Sequence, residues 1–453
     1  MFINLPKNKL QKSLGLFTLC VIGVAGTVGG GIFVLLSPGA AVAGDYLPLS
    51  FILGGLLAFM GALLYAELGT TIPRSGSSIE LVFSTTRKRY YPFIFSWLVL
   101  LGDVSYLVIN ALGLAFYMNF FIAVNPILIA LSGLALVGLI NLKGTSSTGK
   151  GEILTGVSLV ILLFIFVAMA LMGANTYAPR EFISQVPTNL LPIIAGTSVV
   201  FTAFVGYEYI SSVAEEAKDA AKNIPRALMI TVAIATVTFS LVSYAALKLV
   251  SPDSLAAADA PLLLAAEGLG TVGTWIVLPA AIMATAGSLL AATLVSSRRL
   301  YALSRQGYMR SVFSKVNQFD VPHRSILGVL VLAVFLLLTN SVAFIAYIGN
   351  TVYLVVLITI ALSLLKFRRQ RPYLNRPFKA PLFPWMPITV MVLAGSILLF
   401  VDKISIAVTA LWLVLGYFVY LATRISQHKL YYGMWGGVVF LLLVGLLGLL
   451  YLF

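Results

Sequence analysis

Long apolar segments dominate this chain, and they constrain its fold more than any other feature. One bilayer crossing takes about 20 apolar residues, so the 453 residues leave room for about a dozen crossings and little else. The apolar runs are continuous and do not alternate every second residue, which is typical of membrane helices and not of a barrel. With 60% hydrophobic and only 10% charged residues, the chain is predicted to be an all-α polytopic membrane protein.

Thirteen apolar segments are predicted to span the membrane. They lie at 15–37, 46–71, 91–123, 126–142, 152–173, 190–214, 227–250, 271–297, 325–340, 342–365, 386–401, 404–423 and 431–453. Whether the last segment crosses is open from the sequence, so the prediction is 12–13 transmembrane helices.

Basic residues fall almost entirely on one side of the predicted membrane. If the N-terminus is cytoplasmic, only Arg180, Lys248 and Lys403 of the 29 Lys and Arg residues lie outside. Because Lys and Arg concentrate in cytoplasmic loops, we predict a multi-pass protein of the cytoplasmic membrane with residues 1–14 on the inner side. Membrane orientation explains the net charge of +14, and no nucleic-acid partner is needed.

Two spans contain residues that a continuous helix holds poorly. Span 1 carries Gly26 and then Gly29-Gly30-Gly31, which predicts an unwound segment. Span 6 carries Gly206 two residues before the intramembrane carboxyl group of Glu208. For an isolated glycine such as Gly206, close packing of two helices is the alternative explanation.

Each predicted break lies in the first span of a block of five spans. An odd number of crossings inserts the second block with the opposite orientation, which is the pattern of an inverted repeat with a substrate site at the membrane midplane. We therefore predict repeats at 15–180 (spans 1–5) and 190–366 (spans 6–10), with additional spans 11–13 at 386–453. Free amides at a half-helix start attract a carboxylate, and freed carbonyls accept from an ammonium group. An α-amino acid carries both groups.

Four motifs occur in a fixed order along the chain. They are Gly29-Gly30-Gly31-Ile32-Phe33, Tyr65-Ala66-Glu67-Leu68 with Pro73-Arg74-Ser75-Gly76, Phe204-Val205-Gly206-Tyr207-Glu208 with Ala214-Glu215-Glu216 and Asn223-Ile224-Pro225-Arg226-Ala227, and Ser297-Arg298-Arg299-Leu300-Tyr301-Ala302. Over about residues 13–425 the chain resembles the amino acid permeases of the amino acid–polyamine–organocation transporter superfamily.

This resemblance implies a five-plus-five inverted-repeat fold, alternating access and no enzymatic step. It implies that the motif beginning at Gly29 holds the substrate carboxylate through the amides of Gly30 and Gly31. Carbonyl groups near three further residues would meet the α-amino group; they are Thr27, Thr202 and Val205. Phe204 is the nearest match to an aromatic gate over the substrate. The family usually has twelve spans, so a thirteenth would lie outside the transport core.

The coupling ion is the least determined feature of the sequence. Some proton-coupled relatives carry a span 5 lysine, and the matching position here is Ser158. Its hydroxyl could help to bind sodium together with Ser288 of span 8, but sodium favours several oxygens and no full set is evident. Proton-coupled symport or exchange is therefore favoured over sodium coupling.

Two carboxyl groups inside spans are functional candidates, because ionisable groups in a bilayer are costly. Asp103 lies about 13 residues, roughly 20 Å, from the cytoplasmic start of span 3. It could be a counter-ion for a cationic substrate, a proton carrier, or a buried acid satisfied by Tyr106 or Asn110. Glu208 could carry a proton or cap the half-helix. Glu67, at a cytoplasmic helix end, is expected in an inner-gate salt bridge or in solvent.

The sequence thus predicts a secondary transporter of α-amino acids, with protons and the lipid bilayer as its other partners. A polyamine or organocation carrier is the alternative, and a sodium-coupled symporter is a further one. No cofactor or metal is expected. A membrane enzyme or an ATP-driven pump is disfavoured, because the chain lacks a His/Cys cluster and the glycines of span 1 lack the lysine of a phosphate-binding loop. The oligomeric state is not predicted.

Overall fold

The fold is described from a computed structural model that covers residues 14–71, 90–143, 149–173, 189–213 and 216–424. For residues 149–155 and Ser212 only the backbone is described. The predicted thirteenth span at 431–453 and most of the N-terminal segment 1–14 lie outside these ranges.

Twelve apolar helical stretches run through the described ranges, and we number them spans 1–12. Their helices are Leu16–Thr27, Gly31–Val34 and Leu36–Ala43 (span 1), Leu47–Thr71 (span 2), Tyr90–Met118 (span 3), Pro126–Leu142 (span 4), Gly149–Met172 (span 5), Leu191–Val200, the 3-10 turn Phe201–Phe204 and Tyr209–Ser212 (span 6), Ala220–Leu249 (span 7), Gly270–Arg305 (span 8), His323–Leu337 (span 9), Val342–Gln370 (span 10), Trp385–Leu398 (span 11) and Lys403–Arg424 (span 12).

Eight of these stretches are long and apolar enough to cross a membrane. Spans 4, 9 and 11 and the Gly156–Met172 part of span 5 are shorter apolar helices. The prediction of an all-α polytopic membrane protein is confirmed. The division into two inverted repeats stays a prediction.

Two helices extend further at their C-terminal ends than their apolar segments predict. Span 8 was expected to end at 297 but continues to Arg305, and span 10 was expected to end at 365 but continues to Gln370. Hydropathy marks only the apolar part of a helix, and long basic side chains can follow it while reaching towards the interface. Arg299 and Arg368, which the hydropathy pattern assigns to loops, therefore lie in helices.

Span 12 is fastened to span 3 by a pair of tryptophans. The rings of Trp97 and Trp412 stack with centroids 4.4 Å apart. Each indole N–H donates to the backbone carbonyl of the other tryptophan at 2.8 Å. Both buried indole donors are thus satisfied, as buried tryptophans require.

The start of span 1 pairs with the linker between spans 6 and 7. Leu14 N–H donates to the carbonyl of Glu216 at 3.0 Å, and Lys218 N–H donates to the carbonyl of Leu14 at 2.8 Å. These bonds form an isolated parallel bridge between Leu14 and Ala217. The start of span 1 and the linker after span 6 are therefore joined through their backbones.

Both predicted helix breaks are present, and they touch each other. The helix of span 1 is interrupted at residues 28–30, and span 6 leaves α-helical geometry over residues 201–208. Gly206 has φ of 122°, and a Cβ atom added there would lie 2.2 Å from the carbonyl oxygen of Gly26. Glycine at 206 is therefore required both by the backbone conformation and by the approach of span 1.

We expect Gly206→Ala to lower the free energy of unfolding by at least about 2 kcal/mol, because a strained φ costs about 1–3 kcal/mol and the clash with Gly26 adds to it. Gly395→Ala, inside span 11 where an added Cβ meets nothing within 4 Å, is the matched control and should be neutral or mildly stabilising. Thermal unfolding of the purified protein in detergent measures both. Equal unfolding temperatures for the two variants would contradict the close approach.

Candidate functional site

The break of span 1 leaves backbone amides without partners inside their own helix. The half-helix Gly31–Val34 begins directly after the break, and the first amides of a helix have no carbonyl one turn back. Gly30 N–H donates to the hydroxyl of Ser288 in span 8 at 3.3 Å. Gly30 and Ser288 thus lie together at the break, and the role of Gly30 and Gly31 as a carboxylate cradle stays a prediction.

The glycines of this segment are closely covered by neighbouring spans. A Cβ added to Gly30 would lie 2.1 Å from Oδ1 of Asn110 and 2.8 Å from a methyl group of Thr285. A Cβ on Gly29 would lie 2.1 Å from the Ser288 hydroxyl. Any side chain at these positions would therefore displace polar groups of spans 3 and 8.

The break of span 6 is held by side chains from its own turn and from span 10. Glu208 accepts from Gly206 N–H through Oε2 at 2.9 Å. Thr202 donates to Oδ1 of Asn350 at 2.7 Å, and the Asn350 amide donates to the carbonyl of Val199 at 2.5 Å. Glu208 therefore satisfies a backbone donor of the break, which is the capping alternative given for it above.

A cavity of about 210 Å³ lies beside the break of span 1. Spans 1, 3, 5, 6 and 8 form its walls, and most of the lining is apolar, for example Leu159 and Met283. Its polar lining includes Tyr106, Tyr209 and Ser288. We call it the main cavity. An apolar cavity with a few polar groups at one end is typical of a small-molecule site.

Unpaired polar atoms gather around the break of span 1. The hydroxyl oxygens of Thr27 and Tyr106 and Oδ1 of Asn110 are buried without a well-formed hydrogen bond in the part of the chain that the structure describes, although the Tyr106 hydroxyl lies close to Ser288 and Asn110. Asn110 Oδ1 and the Tyr106 hydroxyl lie against Gly30 and Gly29. Because buried polar atoms are nearly always bonded, these groups are available to a polar ligand.

Sequence reasoning did not identify Tyr106 and Asn110 as site residues. It mentioned them only as neighbours that could satisfy Asp103, whereas they face the glycines of span 1. A signal was available, because positions 103, 106 and 110 repeat at the spacing of one helix face.

The remaining predicted site residues are distributed over different surroundings. Gly29 and Ser288 line the main cavity. From span 5 the lining comes from Gly156 and Leu159, and Ser158 is not part of it. Thr202 is engaged with Asn350, and Val205 lines a separate small cavity. Their binding roles stay predictions.

Phe204, the predicted aromatic gate, is fully buried away from the main cavity. Its ring packs against Phe239 at 5.1 Å and Phe51 at 6.4 Å between centroids. The aromatic residues that do line the main cavity are Tyr106 and Tyr209. In this conformation Phe204 belongs to an aromatic cluster with spans 2 and 7.

A smaller cavity of about 20 Å³ lies next to Glu208. Tyr65, Tyr207 and Tyr353 supply its other polar lining. A space of this size has room for about one water molecule. Glu208 thus adjoins a polar pocket that is separate from the main cavity.

Asp103 is fully engaged by two residues from other spans. Its Oδ2 accepts from Nε of Arg299 in span 8 at 2.6 Å, and its Oδ1 accepts from the hydroxyl of Tyr353 in span 10 at 3.2 Å. The carboxylate is 4% exposed and the Arg299 side chain 17%. Its charge is therefore compensated within the protein, by partners that differ from the two residues expected from the sequence.

Glu67 forms a second buried ion pair near the C-terminal end of span 2. Its carboxylate accepts two bonds from Arg368 at 2.8 and 2.5 Å and one from Ala380 N–H at 2.8 Å. Arg376 Nε lies 3.5 Å away. Glu67 is 1% exposed, so it lies in a salt bridge and not in solvent. It fastens span 2 to the loop between spans 10 and 11.

Within the described residues no three His, Cys, Asp or Glu side chains lie close enough together to hold a metal ion.

We expect Glu67→Gln to lower the free energy of unfolding by about 3–5 kcal/mol, since the partly buried Arg368 and the buried Arg376 lose their counter-ion. Glu267→Gln, at an exposed acid in the short helix Pro261–Glu267, is the matched control and should change stability by no more than about 0.5 kcal/mol. Unfolding of both variants is compared in detergent. A Glu67 variant as stable as the control would show that the cluster does not hold the loop.

Comparison with known proteins agrees with this geometry. The profile of the family described as amino acid permease matches residues 14–444. The branched-chain amino acid permease BcaP of Bacillus subtilis (strain 168) is 25% identical over 465 residues, covering 94% of this chain and 95% of the relative. The methylthioribose transporter of the same strain is 26% identical over 439 residues, covering 91% and 93%.

A mammalian relative shows the same extent of similarity. The large neutral amino acids transporter small subunit 2 of Mus musculus is 27% identical over 420 residues, covering 86% of this chain and 76% of the relative. The relatives are transporters and not enzymes, and the family match spans nearly the whole chain. This chain is a multi-pass membrane transporter that belongs to the amino acid permease family of the amino acid–polyamine–organocation superfamily.

Proposed function

We propose that the protein is a secondary active transporter that moves α-amino acids across the cytoplasmic membrane by alternating access. The observation that carries this proposal is the pair of interrupted helices that meet beside the main cavity, with unpaired polar atoms around the break of span 1. Interrupted helices provide backbone groups for both charged ends of an amino acid. The two inverted repeats would supply the alternating motion.

The substrate carboxylate is proposed to bind at Gly30 and Gly31. The amide of Gly30 is already directed at an oxygen, the hydroxyl of Ser288. A carboxylate is a stronger acceptor than a hydroxyl, so it would replace Ser288 at this amide. Gly29 and Gly30 have no side chains of their own to shield the backbone, so the substrate would have to displace only the side chains of Asn110, Thr285 and Ser288 that now cover it.

The substrate ammonium group is proposed to bind to oxygens at the same break. Carbonyls near Thr27, Thr202 and Val205 are the candidates from the family resemblance. The unpaired oxygens of Tyr106 and Asn110 are additional acceptors next to Gly29 and Gly30.

Glu208 is the better placed candidate for carrying a coupled proton. Its carboxylate caps Gly206 at the break of span 6 and adjoins the small cavity. Protonation would weaken the bond from Gly206 N–H, because a neutral carboxyl group is a poorer acceptor than a carboxylate, and it would so alter the break itself. Asp103 is held by Arg299 and Tyr353, which makes it the weaker candidate. Symport with a proton and amino acid exchange are both compatible with this arrangement.

Two alternatives remain candidates for particular reasons. A polyamine or organocation would suit Asp103 and Glu208, but it has no carboxylate for the glycine amides. A sodium ion would need several oxygens, and Ser288 is bonded to Gly30 while Ser158 does not line the main cavity. Both alternatives are therefore less well supported than a proton-coupled or exchanging amino acid carrier.

We expect Gly30→Ala to reduce amino acid counterflow in proteoliposomes by at least about 100-fold, since its Cβ would displace Asn110 and Thr285 beside the amide cradle; this corresponds to about 2.7 kcal/mol. Gly287→Ala is the matched control, because it lies on the cavity wall where an added Cβ meets nothing within 4 Å. It should retain most of the activity. Undiminished counterflow in folded Gly30→Ala protein would exclude the cradle.

We expect an imposed sodium gradient to leave amino acid uptake unchanged, because the described residues offer no complete set of sodium ligands. An inward proton gradient should stimulate net uptake if the protein is a symporter and should have no effect if it is an exchanger. Uptake of labelled substrate under each gradient, with potassium as the control cation, measures this. Stimulation by sodium would support the sodium-coupled alternative.

A further inference from the structure

The ion pair of Asp103 and Arg299 lies next to the main cavity at its cytoplasmic end. Tyr106 and Val295 line the cavity. Asp103 lies three residues before Tyr106 in span 3, and Arg299 lies four residues after Val295 in span 8, so each is one helical turn away on the same face. With the predicted cytoplasmic N-terminus, span 3 runs outwards and span 8 runs inwards, so the step back from Tyr106 to Asp103 and the step on from Val295 to Arg299 both lead towards the cytoplasmic end.

The two charges cancel each other where a substrate side chain would otherwise meet them. Arg299 Nε and Asp103 Oδ2 are 2.6 Å apart, and Tyr353 occupies the other carboxylate oxygen. Glu208 belongs to the smaller cavity and bonds to Gly206. The main cavity therefore has apolar walls and a locally neutral end.

A charged substrate side chain would lose its hydration in this cavity without gaining a counter-ion. Such a transfer is strongly unfavourable, whereas an uncharged side chain gains from contact with Leu159 and Met283. On this basis, which rests on the proposed function, we infer that Arg299 is a specificity-determining residue: by neutralising Asp103 it restricts transport to amino acids with uncharged side chains.

Removal of one charge of the pair should change the substrate preference in a defined direction. Asp103→Asn leaves the guanidinium of Arg299 uncompensated, and arginine cannot lose its charge in a protein. A fixed positive charge near the cavity favours an acidic side chain and disfavours a basic one. Removing both charges restores neutrality. A purely structural pair would instead change transport of all amino acids alike.

The wild-type protein gives the first test, by counterflow in proteoliposomes with norleucine against lysine and glutamine against glutamate. The members of each pair are similar in size and differ in charge. We expect lysine and glutamate to exchange at least about tenfold less well than their uncharged counterparts, the effect of roughly one uncompensated charge. Lysine exchange equal to that of norleucine would overturn the inference, while absence of exchange for every amino acid would overturn the proposed function instead.

The variants give the second test. We expect Asp103→Asn to raise the glutamate-to-glutamine exchange ratio by about tenfold, and the double variant D103N/R299Q to return it to the wild-type value. Arg298→Gln, one residue away on the exposed side of span 8, is the control and should leave the ratio unchanged. A ratio in Asp103→Asn within about twofold of the wild type, with glutamine still exchanged, would overturn the inference. If Asp103→Asn does not fold, the wild-type comparison decides.

Discussion

The backbone contact between Gly26 and Gly206 is the constraint on which the centre of this protein depends. In a bilayer, each backbone group without a partner costs several kcal/mol, so a broken helix persists only where protein covers the break. Here the two breaks cover each other, and an added Cβ at Gly206 would reach within 2.2 Å of the opposite carbonyl. Ser288, Glu208 and Asn350 then bond to backbone groups at or beside the breaks. The breaks that form the candidate site are thus held in place by the residues around that site.

Two buried ion pairs surround this centre, and they differ in what they connect. Asp103 and Arg299 join spans 3 and 8, which also wall the main cavity. Glu67 joins span 2 to the loop after span 10 through Arg368 and the amide of Ala380. Buried charges are tolerated when every partner is hydrogen-bonded, and both carboxylates meet this condition on both oxygens.

Much of this fold could be predicted from the sequence because hydropathy and glycine placement act locally. Twelve apolar stretches, the interruption at Gly29-Gly30 and the capping alternative for Glu208 all follow from residues close together in the chain. The partner of Asp103 did not follow. Arg299 is 196 positions away. It lies in a helix end that the hydropathy pattern assigns to a loop because its residues are charged. Long-range pairing of this kind needs the packing of spans 3 and 8 to be known.

The direction in which a side chain points could not be predicted from the sequence either. Phe204 matches a gate position in the family motif, yet its ring lies among Phe51 and Phe239. The turn of 3-10 helix at Phe201–Phe204 changes which face each residue presents, and a motif does not specify this rotation. Tyr106 and Asn110, by contrast, lie in a regular helix, and their orientation towards span 1 follows from helical spacing.

The bridge between Leu14 and Ala217 is a second contact between the two broken spans, between the start of span 1 and the linker after span 6. The first is the contact of Gly26 with Gly206, about 12 residues or roughly 18 Å further along span 1. Two segments that are in contact at two separate places cannot rotate independently at either place. The segments of spans 1 and 6 that lead to these two contacts are therefore held together at both of them, so a movement of one segment would carry the other with it.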